Sequence, residues 1–161
     1  MKIIETTLLL LRKDNKIMLA LKKKGFGAGK YNGLGGKLEP GETPEQAMLR
    51  EAYEEGRIKP VDYTYMGENE YSEFINGEPV KLKFHLYLTE NWIGEPEEMK
   101  PYWFDIDKIP YENMFAGDIY WLPLVLDNKK IHGYFEFDEN WNLINHEVLE
   151  ISNEDKLWKS F

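Results

Sequence analysis

The stretch Gly36-Lys37-Leu38-Glu39-Pro40-Gly41-Glu42-Thr43-Pro44-Glu45-Gln46-Ala47-Met48-Leu49-Arg50-Glu51-Ala52-Tyr53-Glu54-Glu55-Gly56 joins a glycine-rich loop to an acidic helix. The helix start carries agreeing signals. Thr43 is suited to the N-cap, Pro44 to the first helical position, and Gln46 sits where a capping box places Glu or Gln. The helix is expected to run to about Glu55, with Gly56 as its stop. Ala47, Leu49 and Tyr53 give it apolar surface. Glu51, Glu54 and Glu55 are three and four positions apart, so their carboxylates share one helix face. Like charges at that spacing repel unless something positive lies between them. A solvated acidic face is the common meaning of three such glutamates alone. Arg50 beside them and the glycine-rich loop before them favour a hard divalent cation instead, and Mg²⁺ prefers oxygen ligands of this kind.

Working outward, Ile3 to Leu11 is β-branched and Leu-rich, Lys13-Asp14-Asn15 breaks it, and Ile17 to Leu21 resumes, which predicts a hairpin with a buried first strand. Residues 25 to 41 are predicted to be loop with at most short strands. Tyr63 to Ile75 and Val80 to Leu88 read as strands around Asn76-Gly77. Trp103 to Ile106 reads as a short strand, Ile119 to Leu126 as a short helix, and His132 to Phe137 as a strand. Leu143 to Ile151 adds a further strand, and Asn153 to Phe161 is a charged tail with one Trp and one Phe. This order predicts an α+β fold, an α/β/α sandwich in which helices flank a mixed β-sheet. The 161 residues suit one domain, 1–161, with a short tail from about residue 152.

Composition narrows the function. The net charge of −9 disfavours binding to a nucleic-acid polymer. The dense basic patch, Lys22-Lys23-Lys24 with Lys30 and Lys37 downstream, suits a small anionic ligand that arrives with a divalent cation. Aromatics form 14% of the chain, a large supply of flat surfaces for packing or for stacking on a base. No apolar run is long enough to span a bilayer, and no signal peptide is read at the N-terminus. The absence of cysteine rules out disulfides and thiolate metal sites and fits a cytoplasmic protein. No phosphate-binding P-loop is present, because Gly29-Lys30 is followed by Tyr31 and Gly36-Lys37 by Leu38. His85, His132 and His146 lack metal-ligand spacing and are expected in structural or surface roles.

The spacing of Gly36, Glu42, Arg50, Glu51, Ala52, Glu54, Glu55 and Ile58 resembles the signature of the Nudix hydrolases. One position departs from it: the signature glycine falls on Arg57, with Gly56 one place earlier. Either the helix ends a residue early or Arg57 is left-handed, at roughly 1–2 kcal/mol. Two further regions resemble the branch of that family acting on oxidised purine nucleoside triphosphates. One is Lys22 to Lys37. The other comprises Trp103-Phe104, Ile109-Pro110, Tyr120-Trp121, Pro123-Leu124 and His132-Gly133-Tyr134-Phe135.

The resemblance implies Mg²⁺-dependent hydrolysis of a purine nucleoside triphosphate such as 8-oxo-dGTP to the monophosphate and pyrophosphate, with Mn²⁺ as a substitute metal. The metal side would comprise the Gly36 carbonyl, Glu51, Glu54, Glu55 and Glu98, with Glu54, Glu55, Glu98 and Arg50 serving catalysis and Arg50 orienting the loop through Glu42. Lys22 would meet the phosphates, Asn32 the purine, and Thr7 the pocket wall. Phe26, Tyr71, Leu82 and Phe115 would enclose the base, and Leu34, Gly35 and Lys37 would complete the substrate side. In this branch two adjacent Asp residues face the base; here Gly117 replaces the first and Asp118 remains, which implies a narrower range of bases. Read from the residues alone, Phe26 and Phe115 also fit a core, and Asp118 a helix cap. The expected partner is a small-molecule nucleotide substrate, with neither nucleic-acid polymer nor membrane, and the protein is expected to be a monomer. Three alternatives remain: a Nudix enzyme on another diphosphate such as a nucleotide sugar, a non-catalytic nucleotide sensor, and a protein-interaction domain needing no metal.

Overall fold

The computed structural model describes residues 1–23, 28–96 and 101–151. Nine strands form one mixed sheet with two helices: β1 Lys2–Lys13, β2 Lys16–Leu21, β3 Tyr31–Asn32, β4 Leu34–Lys37, α1 Pro44–Gly56, β5 Lys59–Ile75, β6 Glu78–Ile93, β7 Pro101–Asp105, α2 Asp118–Leu126, β8 Lys130–Phe137 and β9 Leu143–Ile151. The strand order is β3-β2-β1-β6-β5-β8-β9, with β4 paired to β1 and β7 to β2. Both long hairpins turn on residues with positive φ, Asp14-Asn15 and Asn76-Gly77, as a tight turn between twisted strands requires. Two pairings are parallel and join segments distant in sequence, β1 with β6 and β5 with β8.

The sheet is apolar on both faces, and each face takes a helix. Leu9, Leu11, Met18, Leu34 and Tyr87 pack with Met48, Ala52 and Ile58 on the α1 side. Leu8, Leu10, Ile17, Leu19, Leu86, Ile131 and Phe135 pack with Trp121, Leu122 and Val125 on the α2 side. Alternation along β1 is therefore hydrophobic in both directions, as expected of a central strand buried on two sides. The sandwich is the expected one. No described helix is long and apolar enough to cross a membrane.

A bulge in β5 sets what the cavity described below contains. Pairing with β6 shifts register between Tyr65 and Gly67. Tyr63 and Tyr65 lie with the α1-side cluster, whereas Met66 enters the α2-side core. One inserted residue reverses the parity of every side chain after it. Gly67 permits this: its φ is 113°, and a side chain there would strike the Ile131 backbone. Beyond the bulge, Asn69, Tyr71 and Glu73 face the α2 side, while Glu68 and Glu70 face the other.

The differences from the sequence reading are local. β5 begins at Lys59 and β6 ends at Ile93, because the irregular Pro60–Tyr63 segment still pairs despite its register shifts. The β7 strand spans Pro101–Asp105, slightly before the expected Trp103–Ile106. The α1 helix includes Gly56, and Arg57 is the C-cap at φ 54°, ψ 33°, its N–H donating to the carbonyls of Ala52 and Tyr53. Arg57, not Gly56, is thus the left-handed stop. Its guanidinium lies 5.3 Å from the Tyr53 ring centroid. The tail from 152 lies outside the described residues.

Candidate active site

Helix α1 starts as its sequence dictates. The Thr43 hydroxyl accepts from the Gln46 N–H at 3.1 Å, and the Gln46 side chain accepts from the Thr43 N–H at 2.9 Å. This capping box fixes the entry of the loop into the helix. Arg50, about two turns after Thr43, then ties the two together. Its Nε donates to Glu42 Oε2 at 2.7 Å and its Nη2 to Glu42 Oε1 at 3.0 Å. Nη2 also donates to the Lys37 carbonyl at 3.0 Å, and Nη1 reaches Glu51 at 2.9 Å and Glu54 at 3.0 Å. The Arg50 guanidinium holds the Glu42 carboxyl below its usual pKa, and the Glu42 carboxylate in turn raises that of Arg50.

The remaining acid turns inward. Glu55 Oε1 accepts from the Gly35 N–H at 3.2 Å. Burial raises its pKa well above the ordinary range, and the hydrogen bond and charge of Glu51 raise it further. Gly36 lies against Glu51 so closely that a Cβ there would sit 2.5 Å from Glu51 Oε1. A Gly36 backbone next to two crowded carboxylates, one half-buried and the other paired with Arg50, is a donor set of hard oxygens. It fits a divalent cation of the Mg²⁺ type.

Beside this edge opens a cavity of about 450 Å³, a size that suits a nucleotide base and sugar. Thr7, Lys22, Asn32, Gly35, Gly36, Lys37, Tyr71, Leu82, Phe115 and Asp118 all line it. The sequence reading therefore converges on one place for ten of its positions. Asn32 Oδ1 accepts from the Gly33 N–H at 2.9 Å, which leaves its amide donors for a ligand. Asp118 is 4% exposed and accepts from Trp121 Nε1 at 3.0 Å. Burial pushes its carboxyl up to about 7. The helix-cap reading of Asp118 is corrected: Gly117 is the N-cap of α2, and Asp118 is the first helical residue.

Two other expected positions lie away from this cavity. Leu34 is 1% exposed and belongs to the core under α1, not to the cavity wall. Gly117 does not line the cavity; its φ is 105°, and a Cβ would lie 2.8 Å from the Phe135 ring, so no larger residue fits this backbone without a shift. Phe26 and Glu98 lie outside the described residues. Glu54 remains exposed and is held by Arg50.

The sequence reading missed several wall residues: Asn69, Glu73, Trp121, Phe137 and Trp141. The spacing of Asp118 and Trp121, one helical turn apart, was a usable sign of a pair. It also missed Glu68, Glu70 and His132, whose ligand atoms all lie within 4.8 Å of one another on the α1 side of the sheet. Lys81 and Lys83 each approach Glu70 at 3.8 Å, and Glu68 lies 3.9 Å from His132 and 4.0 Å from His85. That cluster has Lys81 and Lys83 as cationic partners, as Glu51 has Arg50.

The model of the NUDIX domain matches residues 1–125. The chain belongs to the Nudix family. It is 44% identical over 150 residues to the oxidized purine nucleoside triphosphate hydrolase of Danio rerio, covering 91% of this chain and 95% of that protein. The protein of the same name in Mus musculus is 36% identical over the same shares. An 8-oxo-dGTP diphosphatase of Escherichia coli is 42% identical over 69 residues, 43% of this chain and 50% of that one. Among solved structures, a mutator MutT protein from Bacillus halodurans has the same fold, with a TM-score of 0.77 over 90% of this chain and 97% of that one at 22% identity. This Nudix chain is therefore a hydrolase of a family that typically uses divalent metals.

Proposed function

We propose that the enzyme hydrolyses purine nucleoside triphosphates, oxidised forms such as 8-oxo-dGTP among them, to the monophosphate and pyrophosphate. The observation that carries the reading is the junction of the Gly36–Glu51–Glu55 edge with a 450 Å³ cavity whose polar wall includes Asn32 and Asp118. A triphosphate laid along Lys22 and Lys37 would put its base in the cavity and its phosphates at the acidic helix. The names of the Danio rerio and Mus musculus relatives support the same substrate class.

In this reading the Gly36 carbonyl, Glu51 and Glu55 hold Mg²⁺, for which Mn²⁺ substitutes. When bound, the ion neutralises polyphosphate charge and acidifies water. Arg50 locks Glu42 and the loop so that Glu51 keeps its place. A carboxylate of the Glu54–Glu55 pair takes the proton of the attacking water. The new bond forms from that water oxygen to phosphorus, and the bridging P–O bond breaks to release pyrophosphate. Thr7, Tyr71, Leu82 and Phe115 exclude solvent around the base. The protein acts as a one-domain cytoplasmic monomer on free nucleotides.

The test is product analysis with Mg²⁺ on normal and oxidised purine and pyrimidine triphosphates. Pyrophosphate and monophosphate released preferentially from purines support the proposal. Equal rates on dCTP and the purines refute the purine cavity, and release of inorganic phosphate refutes the bond assignment.

A further inference from the structure

The cavity contains a second acid that the chemistry above does not use. Glu73 lies on β5 two positions beyond Tyr71, and the bulge at Met66 turns it onto the cavity wall. It is 8% exposed, and its Oε2 has no hydrogen-bond partner among the described residues. Burial raises its carboxyl to about 7. A buried acid with an unmade hydrogen bond costs stability, and an apolar residue of similar size would remove that cost.

The other polar groups on the same cavity wall indicate what would satisfy it. One Asp118 oxygen is taken by Trp121, while neither the oxygen nor the nitrogen of the Asn69 amide has a partner among the described residues. With Glu73, the cavity wall thus offers several acceptors; Asn32 contributes amide donors. The complementary base has several N–H donors and a carbonyl on its edge. Guanine-type purines have both, with a ring N–H beside an exocyclic amine, and the 8-oxo form adds a further ring N–H. Cytosine has no ring N–H to offer.

We propose that Glu73 reads the base: its unpartnered oxygen accepts an N–H of a guanine-type purine held in the cavity. This rests on the purine reading of the site, and the experiment separates the two. Binding of 8-oxo-dGMP, dGMP and dCMP is measured calorimetrically without metal for the wild type, Glu73→Gln and Glu73→Leu. Thermal melts establish that each variant is folded. The expected result is that the wild type prefers the guanine-type monophosphates. Glu73→Leu should lose about tenfold in affinity for them, one hydrogen bond's worth, with dCMP within about twofold. Glu73→Gln, which keeps an acceptor oxygen, should fall between. Glu73→Leu should also melt higher than the wild type, as no merely structural acid would allow. A wild type without preference overturns the purine reading, and this inference with it. A wild type with preference whose folded Leu or Gln variant keeps the same profile overturns the role of Glu73 alone.

Discussion

Arg50 and Glu42 are joined by two parallel hydrogen bonds, Nε to Oε2 at 2.7 Å and Nη2 to Oε1 at 3.0 Å. The fork leaves Nη1 to steady Glu51 and Glu54, so one planar group spans loop and helix. A lysine keeps the charge but not this geometry. Arg50→Lys should therefore remain folded and lose about tenfold or more in kcat. Steady-state turnover on 8-oxo-dGTP or dGTP checks it; a rate within about twofold of the wild type would make the fork irrelevant to the reaction.

Glu55 is half-buried and is crowded by Glu51. Glu55→Gln keeps its shape and its contact with the Gly35 N–H while removing a charge. The variant should fold, melt no lower than the wild type in the absence of metal, and lose about a hundredfold in turnover at saturating Mg²⁺. A folded Glu55→Gln with near wild-type rate would show that this carboxylate is not part of the chemistry.

A cation binding that edge binds the folded chain and not the unfolded one. Mg²⁺ should raise the melting midpoint, with a stabilisation of about 2.7 kcal/mol when the free ion is a hundred times its Kd. Melts with EDTA and with millimolar Mg²⁺ measure it. The shift should shrink in Glu51→Gln and Glu55→Gln; an equal shift in both variants would move the binding elsewhere, the Glu68–Glu70–His132 cluster being the next place to look.

Asp118→Asn keeps an oxygen for Trp121 Nε1 but turns the other oxygen into a donor. A base N–H then meets a mismatch costing roughly 1–3 kcal/mol, which should appear as weaker discrimination in kcat/KM among 8-oxo-dGTP, dGTP, 2-hydroxy-dATP and dCTP. In the wild type, 2-hydroxy-dATP should be a poor substrate. An unchanged profile in the variant would reduce Asp118 to a partner of Trp121. Stability supplies a second readout. Above pH 3.8 the folded protein keeps a proton that the unfolded chain has lost, until pH passes about 7. The wild type therefore loses stability as pH rises through that window, and the variant, in which Glu73 and Glu55 still titrate, should lose less.

What could be read from the chain was what is local. The capping box at Thr43 and Gln46, the turns at Asp14-Asn15 and Asn76-Gly77, and the carboxylates on α1 each declare themselves within a few residues. The β5 strand shows where such reading stops. Glu68 to Glu73 is polar at nearly every position, so a period of two cannot say which parity faces the cavity. The bulge that decides it depends on Gly67 meeting Ile131 across a parallel pairing. Asn69 and Glu73 were thus hidden, while Tyr71 was found through family resemblance and not through pattern. Leu34 packs in the core under α1, whereas Gly35, Gly36 and Lys37 on the same short strand line the cavity.

The parallel pairing of β1 with β6 has a consequence for how the protein is made. Lys2 pairs with Val80 and Thr7 with His85. The β5–β6 hairpin closes across the two residues Asn76 and Gly77, a microsecond event. The first strand, which carries Thr7 and pairs with the glycine-rich β4, must wait for that hairpin before its other edge is satisfied. As the chain leaves the ribosome, an apolar strand from Leu8 to Leu11 therefore has an open side until β6 has been synthesised, at about 5–20 residues per second. Over those seconds the nascent protein exposes a sticky edge and has no catalytic centre, so the enzyme's greatest exposure to aggregation comes before it can act on any nucleotide.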